Sequence, residues 1–226
     1  MTERTRGRLI VFEGVEGAGK STQLQRLAGH LARAGVTHRV FREPGGTPLG
    51  DSIRTLILDP ASTVAPRAEA LLFMASRAQL VAQELRPALE AGTTVLLDRF
   101  FLSTYAYQIV GRGLAESDVR SANMMATHGL VPDLTLLLTL SADVGLARAG
   151  RRSGLDRIEG SGREFHERVE EAFAEFATRD WQRSHEECGP IVALEAGGAP
   201  DTVEALVLDA VASRFGELRS ALGVTA

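Results

Sequence analysis

The chain reads as a three-layer α/β domain built on a five-stranded parallel sheet. Five short apolar runs alternate with helical stretches, a glycine-rich loop follows the first run, and no composition shift marks a second domain. Arg8-Leu9-Ile10-Val11-Phe12 is the first strand, and Thr22 to Ala34 a helix closed by Gly35. Arg39-Val40-Phe41-Arg42 is a second strand, broken by Glu43-Pro44-Gly45-Gly46. Pro48 to Leu58 is a short helix that stops before Pro60. Pro66 opens a long helix to about Glu90, with proline in its first turn and Pro87 bending its end. Thr93 to Asp98 is the third strand; helices follow from Leu102 and over Glu116 to His128. Leu134 to Leu140, five leucines interrupted only by Thr135 and Thr139, suits a strand buried on both faces. Ala142 to Arg148 is helical, and the glycine- and arginine-rich stretch after it carries no apolar period. Arg163 to Cys188 reads as one long amphipathic helix, Ile191-Val192-Ala193-Leu194 as the fifth strand, and Asp201 to Leu222 as a closing helix. Residues 1–7 are expected to be a disordered tail ahead of a single domain spanning 1–226.

The net charge of −4 argues against a general nucleic-acid or membrane-surface binder, since either partner favours a basic face. Cys188 is alone, so no intrachain disulfide forms and a reducing cytoplasm is the expected home. No run approaches the roughly 18 apolar residues a membrane span needs. The histidines and Cys188 have no metal-ligand spacing and read as structural or surface groups.

Among 25 Lys and Arg residues only one is lysine, and it stands in Gly14-Val15-Glu16-Gly17-Ala18-Gly19-Lys20-Ser21. Its compact ammonium reaches between nucleotide phosphates where a planar guanidinium is too wide. In this G-x-x-x-x-G-K-[ST] spacing the loop amides of residues 14 to 19 and the start of the next helix, through Thr22, cradle phosphate oxygens. Ser21 would place a hydroxyl on the Mg²⁺ that accompanies the nucleotide. Ligands of such sheets sit beyond the carboxyl ends of the strands, where Glu13, Glu43, Asp98 and Arg99 stand. A switch GTPase would need N-K-x-D and D-x-x-G segments, and the chain has neither. A transport-type ATPase would carry a glutamate after the third strand, which here ends Leu96-Leu97-Asp98-Arg99. A basic residue directly after the strand aspartate suits a second anion beside the first, and so phosphoryl transfer between nucleotides.

Glu13, Arg42-Glu43-Pro44-Gly45-Gly46, Asp98-Arg99, Ser103-Thr104 with Ala106-Tyr107-Gln108, Pro132-Asp133-Leu134-Thr135 and Leu155-Asp156-Arg157-Ile158-Glu159 stand in an order that resembles bacterial thymidylate kinase. Thr139 departs from the family's aspartate in the fourth strand, which bears on the hinge of a lid. Phe100 departs from its usual histidine or tyrosine. The resemblance implies the P-loop kinase fold, ATP and dTMP as substrates, dTDP and ADP as products, and a homodimer. The alternative reading is another small P-loop pyrimidine nucleotide or deoxynucleoside kinase.

The acceptor is a phosphate monoester, largely dianionic at neutral pH because its second pKa is about 6. It needs no Ser/His/Asp machinery; the task is to bring two anions together and neutralise them. The resemblance implies catalytic roles for Lys20 and Arg99, with Arg99 on the dTMP phosphate. Asp98 would lie in the outer shell of Mg²⁺, and Glu13 near the sugar 3′-hydroxyl or the metal. Arg42 and Arg54 fit either a phosphate-side role or a surface pair. Phe73 and Arg77, four apart on one helix face, would stack on thymine and donate to its O4. Thr104 and Gln108 would make further base contacts, and Tyr107 would pack beneath the sugar where a 2′-hydroxyl clashes. Residues 148–163 would form an arginine-rich lid that supplies Arg152 or Arg148 to the transferring phosphoryl group, with Arg157 structural through nearby acids. Trp181 reads as packing, and the adenine site is expected near the lid and the loop after Leu194. The Glu43–Pro44 bond is a candidate for cis geometry.

Overall fold

A computed structural model describes residues 6–149 and 156–224. Strands β1 (Leu9–Glu13), β2 (His38–Arg42), β3 (Thr94–Asp98), β4 (Leu134–Thr139) and β5 (Ile191–Glu195) form one parallel sheet in the order β2-β3-β1-β4-β5. Every residue of the central β1 is buried, as a strand covered on both faces requires, whereas the edge strand β2 buries only Phe41. Helix α1 (Lys20–Arg33) follows β1 directly. Next come α2 (Pro48–Leu58), capped by the Thr47 hydroxyl on the Gly50 amide, and α3 (Pro66–Leu80). Then come α4 (Arg86–Glu90), α5 (Phe101–Thr104), α6 (Glu116–Thr127), α7 (Ala142–Ala149), α8 (Arg163–Phe176), α9 (Arg179–Ser184) and α10 (Pro200–Arg214). The order reverses at β1, whose neighbours are β3 and β4, and the crevice there opens at the carboxyl ends.

The long helix from Pro66 to Glu90 is continuous but widens to a π-turn over Val81–Leu85. Pro87 has no N–H to return to the preceding turn, and the Arg86 amide bonds back five residues, to Val81. A second π segment, Tyr105–Gly111, continues α5. Such segments re-aim side chains in the middle of a helix, and this one carries Tyr107 and Gln108.

Three sequence expectations are corrected. The helix expected from Arg163 to Cys188 is broken: Thr178 caps a new start at Arg179, and the turn lets Trp181 pack on Phe176 (4.2 Å) and stack on His185 (3.8 Å). A 3₁₀ turn, Glu186–Cys188, then leads into β5. The closing helix ends at Arg214, not Leu222; Phe215 turns the chain so that it and Leu218 and Leu222 enter the core. Arg6 and Gly7, expected to belong to a disordered tail, are held in place. The Arg6 guanidinium pairs with the Asp133 carboxylate, and the Gly7 amide bonds to the Leu89 carbonyl (2.8 Å). The Glu43–Pro44 peptide is cis.

Candidate active site

The loop between β1 and α1 takes the shape its glycines allow. Gly14 has φ +134°, and a Cβ there would lie 2.3 Å from the Leu138 carbonyl oxygen. Gly17 has φ +72°, and a Cβ would meet the Gly145 carbonyl oxygen at 2.1 Å. No L side chain fits either position. Val15 and Ala18 turn their side chains inward, which leaves the loop's backbone to face the crevice. Lys20, buried in the first turn of α1, donates to the carbonyls of Gly14 (2.9 Å) and Val15 (2.7 Å). Burial, then the Arg99 charge, pull its pKa from 10.5 down to about 8. The next residue, Ser21, donates its hydroxyl to Asp98 Oδ2 at 2.7 Å, while Thr22 is exposed. That hydroxyl–carboxylate pair supplies hard oxygen ligands, and no group of three or more His, Cys, Asp or Glu side chains gathers among the described residues. Such a pair fits Mg²⁺, which keeps several waters and takes phosphate oxygens instead of an all-protein cage.

A cavity of about 370 Å³ opens in front of this loop. Lys20, Ser21, Asp98 and Arg99 line it, together with Phe73, Arg77, Thr104, Tyr107, Gln108, Arg42 and Arg54. Arg99 follows β3 with φ +71°, a conformation rare outside glycine and concentrated at functional sites. Its guanidinium donates to Ser103 Oγ (2.9 Å), the Gly14 carbonyl (3.3 Å) and Glu16 Oε1 (2.9 Å). Burial works against that charge, but Tyr107, Glu16 and Asp98 hold its pKa above the ordinary arginine value. Burial pushes the Glu16 carboxyl up; Arg99, Lys20 and the Tyr107 hydroxyl outweigh it and leave the pKa lowered. The Tyr107 hydroxyl donates to Glu16 Oε2, and its ring packs against Phe165 and Phe173 of α8 and beneath the Arg99 charge.

Arg77 is buried, and each of its five N–H groups meets an acceptor. Nε and Nη2 donate to Glu43 Oε2, Nη1 to Thr104 Oγ1 (2.9 Å) and Asn123 Oδ1, and Nη2 also to the Phe100 carbonyl (2.8 Å). Glu43 Oε1 and Asn123 Nδ2 stay buried without a partner. Burial raises the Glu43 pKa against the opposing pull of Arg77. Phe73, one turn earlier, is half-buried at the cavity wall. Arg54 donates to the Pro44 carbonyl (3.0 Å), and Arg42 is exposed at the cavity rim.

Two expected site residues are placed elsewhere. Glu13 does not line the cavity. Its carboxylate accepts from the amides of Phe100 (2.7 Å) and Ser103 (3.2 Å) and from the Ser103 hydroxyl (2.6 Å), so it is spent fastening the start of α5. Glu16, which sequence reasoning assigned only to the loop, lines the cavity instead, beside Arg99 and Tyr107. Arg148 donates to the carbonyls of Ala196 and Gly197 (3.3 Å each), away from the cavity and beside the loop after β5. Arg151 and Arg152 lie outside the described residues. Arg157 is structural, as expected: it donates to the Ile57 carbonyl and to Glu69. Glu69 and Asn123 carried no predicted role, because a lone acid or amide in a helix reads from sequence as a solvated group, and Glu43 was placed at the ligand-facing strand ends without a partner.

The sequence profile described as thymidylate kinase matches residues 12–185, well over half of the chain. A thymidylate kinase of Deinococcus radiodurans is 47% identical over 210 residues, covering 93% of this chain and 98% of that protein. One of Chlorobium chlorochromatii is 42% identical over 218 residues, covering 92% and 95%. The chain belongs to the thymidylate kinase family. Asp133, in one of the segments that carry the resemblance, accepts from the Leu9 amide (2.7 Å) and holds Arg6, so it anchors β1 to β4. Phe100, the departure after Arg99, is buried with its ring 4.8 Å from the Arg77 guanidinium carbon. Thr139 donates to the Leu194 carbonyl (3.2 Å) and ties β4 to β5.

Proposed function

We propose that the chain is an ATP-dependent dTMP kinase. The observation that carries this reading is a pair of neighbouring cations, Lys20 on the glycine loop and Arg99 after β3, both donating to the Gly14 carbonyl in a cavity that Phe73, Arg77, Thr104 and Gln108 also line. ATP lies along the loop with its terminal phosphates at Lys20, which exchanges the Gly14 and Val15 carbonyls for phosphate oxygens. The dTMP phosphate takes Arg99, and thymine lies against Phe73. Arg77, expected to donate to thymine O4, has all five N–H groups taken within the protein, so the O4 contact passes to the Thr104 hydroxyl, which accepts from Arg77 and keeps its own proton. Tyr107, fixed by Glu16, walls off the sugar where a 2′-hydroxyl would stand. An oxygen of the dTMP phosphate attacks the γ-phosphorus as the bond to the bridging β–γ oxygen breaks, and ADP leaves with that oxygen. Because both partners are anions, positioning and charge neutralisation supply the rate enhancement. When bound, Mg²⁺ held by Ser21 and, through water, Asp98 would neutralise phosphate charge. Arg152 remains our choice for the lid cation.

Initial rates of ADP formation with ATP and a panel of dTMP, dUMP, dCMP and thymidine test the proposal. Turnover should be highest with dTMP; preference for thymidine would make the chain a nucleoside kinase.

We also propose a homodimer. The packed helices α2, α3 and α6 expose Leu49, Leu56, Leu71, Met124 and Met125, with Leu71 at 61% and Met125 at 79%. Apolar side chains this open, gathered on one set of neighbouring helices, suit burial against a second copy. No helix among the described residues is long and apolar enough to cross a membrane, and we place the enzyme in the cytoplasm.

A further inference from the structure

Glu69, in the first turn of α3, is completely buried (0% exposed) and its carboxylate is saturated. Oε1 accepts from Gln108 Nε2 (3.0 Å) and Arg112 Nε (3.0 Å), and Oε2 from Arg112 Nη2 (3.1 Å) and Arg157 Nη2 (2.7 Å). Burial alone would raise its pKa, but the hydrogen bonds from Arg112, Arg157 and Gln108 bring it below the ordinary value. The group is ionised at neutral pH and has no proton to give.

That fixes the polarity of a neighbour. The two ends of a glutamine amide are nearly the same shape, and the partners decide which end points where. A carboxylate only accepts, so the amide nitrogen of Gln108 must face Glu69. Its carbonyl is left for the other side, and Gln108 lines the cavity. Arg77 imposes the converse on Thr104, because a guanidinium only donates and the hydroxyl proton is then free. The cavity wall thus presents one donor and one acceptor, each set by a buried charge behind it.

We infer that Glu69 is a positioning residue for base selection, holding the Gln108 carbonyl toward the cavity so that it accepts the N3–H of thymine and meets a lone pair on cytosine. The inference rests on the dTMP kinase reading and deepens it. Thymine offers an acceptor at O4 and a donor at N3, whereas cytosine offers an amino group at position 4 and an acceptor at N3. Both polar contacts would be mismatched with cytosine, and buried groups left without partners are what reject a near-isosteric ligand.

The test replaces Glu69 by Gln, an amide that can donate as well as accept and frees Gln108 to turn. kcat/KM is measured for dTMP, dUMP and dCMP. The ratio of dTMP over dCMP should fall at least about tenfold, while dTMP over dUMP stays within about twofold, because thymine and uracil share the same O4 and N3–H edge. A merely structural role would lower all three substrates together. A folded Glu69→Gln protein with an unchanged dTMP over dCMP ratio overturns the inference. The substitution leaves two guanidiniums short of an anion, so the intact enzyme provides a second arm. The 3-deaza analogue of dTMP has C–H in place of N3–H at the same shape, and should bind at least about tenfold more weakly than dTMP. Equal affinity overturns the inference. An intact enzyme that turns over none of the monophosphates would instead overturn the dTMP kinase reading itself.

Discussion

Lys20 is a charge held in an unfavourable place, and replacing it separates stability from activity. It is only 7% exposed. Its pKa drops from 10.5 to about 8 through burial first and the Arg99 charge second. At about 1.4 kcal/mol for each factor of ten, keeping the ammonium charged in the free protein costs about 3 kcal/mol at pH 7. The unfolded chain binds that proton more tightly, so between pH 8 and 10.5 it carries more protons than the folded one. The native state therefore gains stability as pH rises through this window. Worked through, the burden falls to under about 1 kcal/mol at pH 10. Lys20→Met removes the burden but strands the Gly14 and Val15 carbonyls, at about 1 kcal/mol each. The variant should be no less stable than the parent at pH 7 and should lose its relative advantage, by about 2–3 kcal/mol, on going to pH 10. Urea unfolding of both proteins at the two pH values measures this, alongside loss of turnover. A stability gap that is the same at pH 7 and pH 10 would refute the reasoning. The same pKa makes kcat/KM for ATP fall above about pH 8 in the free enzyme.

Tyr107→Ala should lower the kcat/KM ratio of dTMP over its ribo counterpart more than it lowers dTMP affinity, whereas Tyr107→Phe, which keeps the ring, should hold the ratio; a ratio unmoved by alanine removes Tyr107 from the sugar. Arg152→Ala should cut kcat by about 10³ or more with dTMP affinity nearly intact, as for arginine fingers, and Arg148→Ala should do less because its guanidinium sits on the Ala196 and Gly197 carbonyls; kcat within about threefold in both variants, well under 1 kcal/mol of barrier, leaves the lid a cover only. Leu71→Asp together with Met125→Asp should convert a dimer into a folded monomer in sedimentation equilibrium; an unchanged mass would place the interface elsewhere.

The sheet and the glycine loop were legible because their signals are local. Strongly apolar runs mark β1, β3 and β4, and glycines at fixed offsets mark the loop. The π segments were not, since their cause lies in one missing amide at Pro87 and in packing around Tyr105–Gly111. The break at Thr178 was missed although a threonine cap with Asp180 in the next turn was there to read; the amphipathic pattern ran straight through it. In the site, Lys20, Ser21, Asp98 and Arg99 were placed by motif and strand-end position, and Tyr107 only by the family resemblance. The exchange of roles between Glu13 and Glu16 was not, because three residues on a loop can reverse direction and only the fold decides which acid is used to cap α5. The partners of Arg77 come from the loop after β2, from Phe100 and Thr104, and from α6, and no short window of sequence contains them.

The central claim is that two cations divide two anions between them. Isothermal titration of the parent, Lys20→Met and Arg99→Met proteins with dTMP and, separately, with a non-hydrolysable ATP analogue tests it. Lys20→Met should lose the ATP analogue and keep dTMP, and Arg99→Met should lose dTMP and keep the analogue. If each substitution weakens both ligands to the same extent, the two anion sites are not the separate ones described, and the account is contradicted.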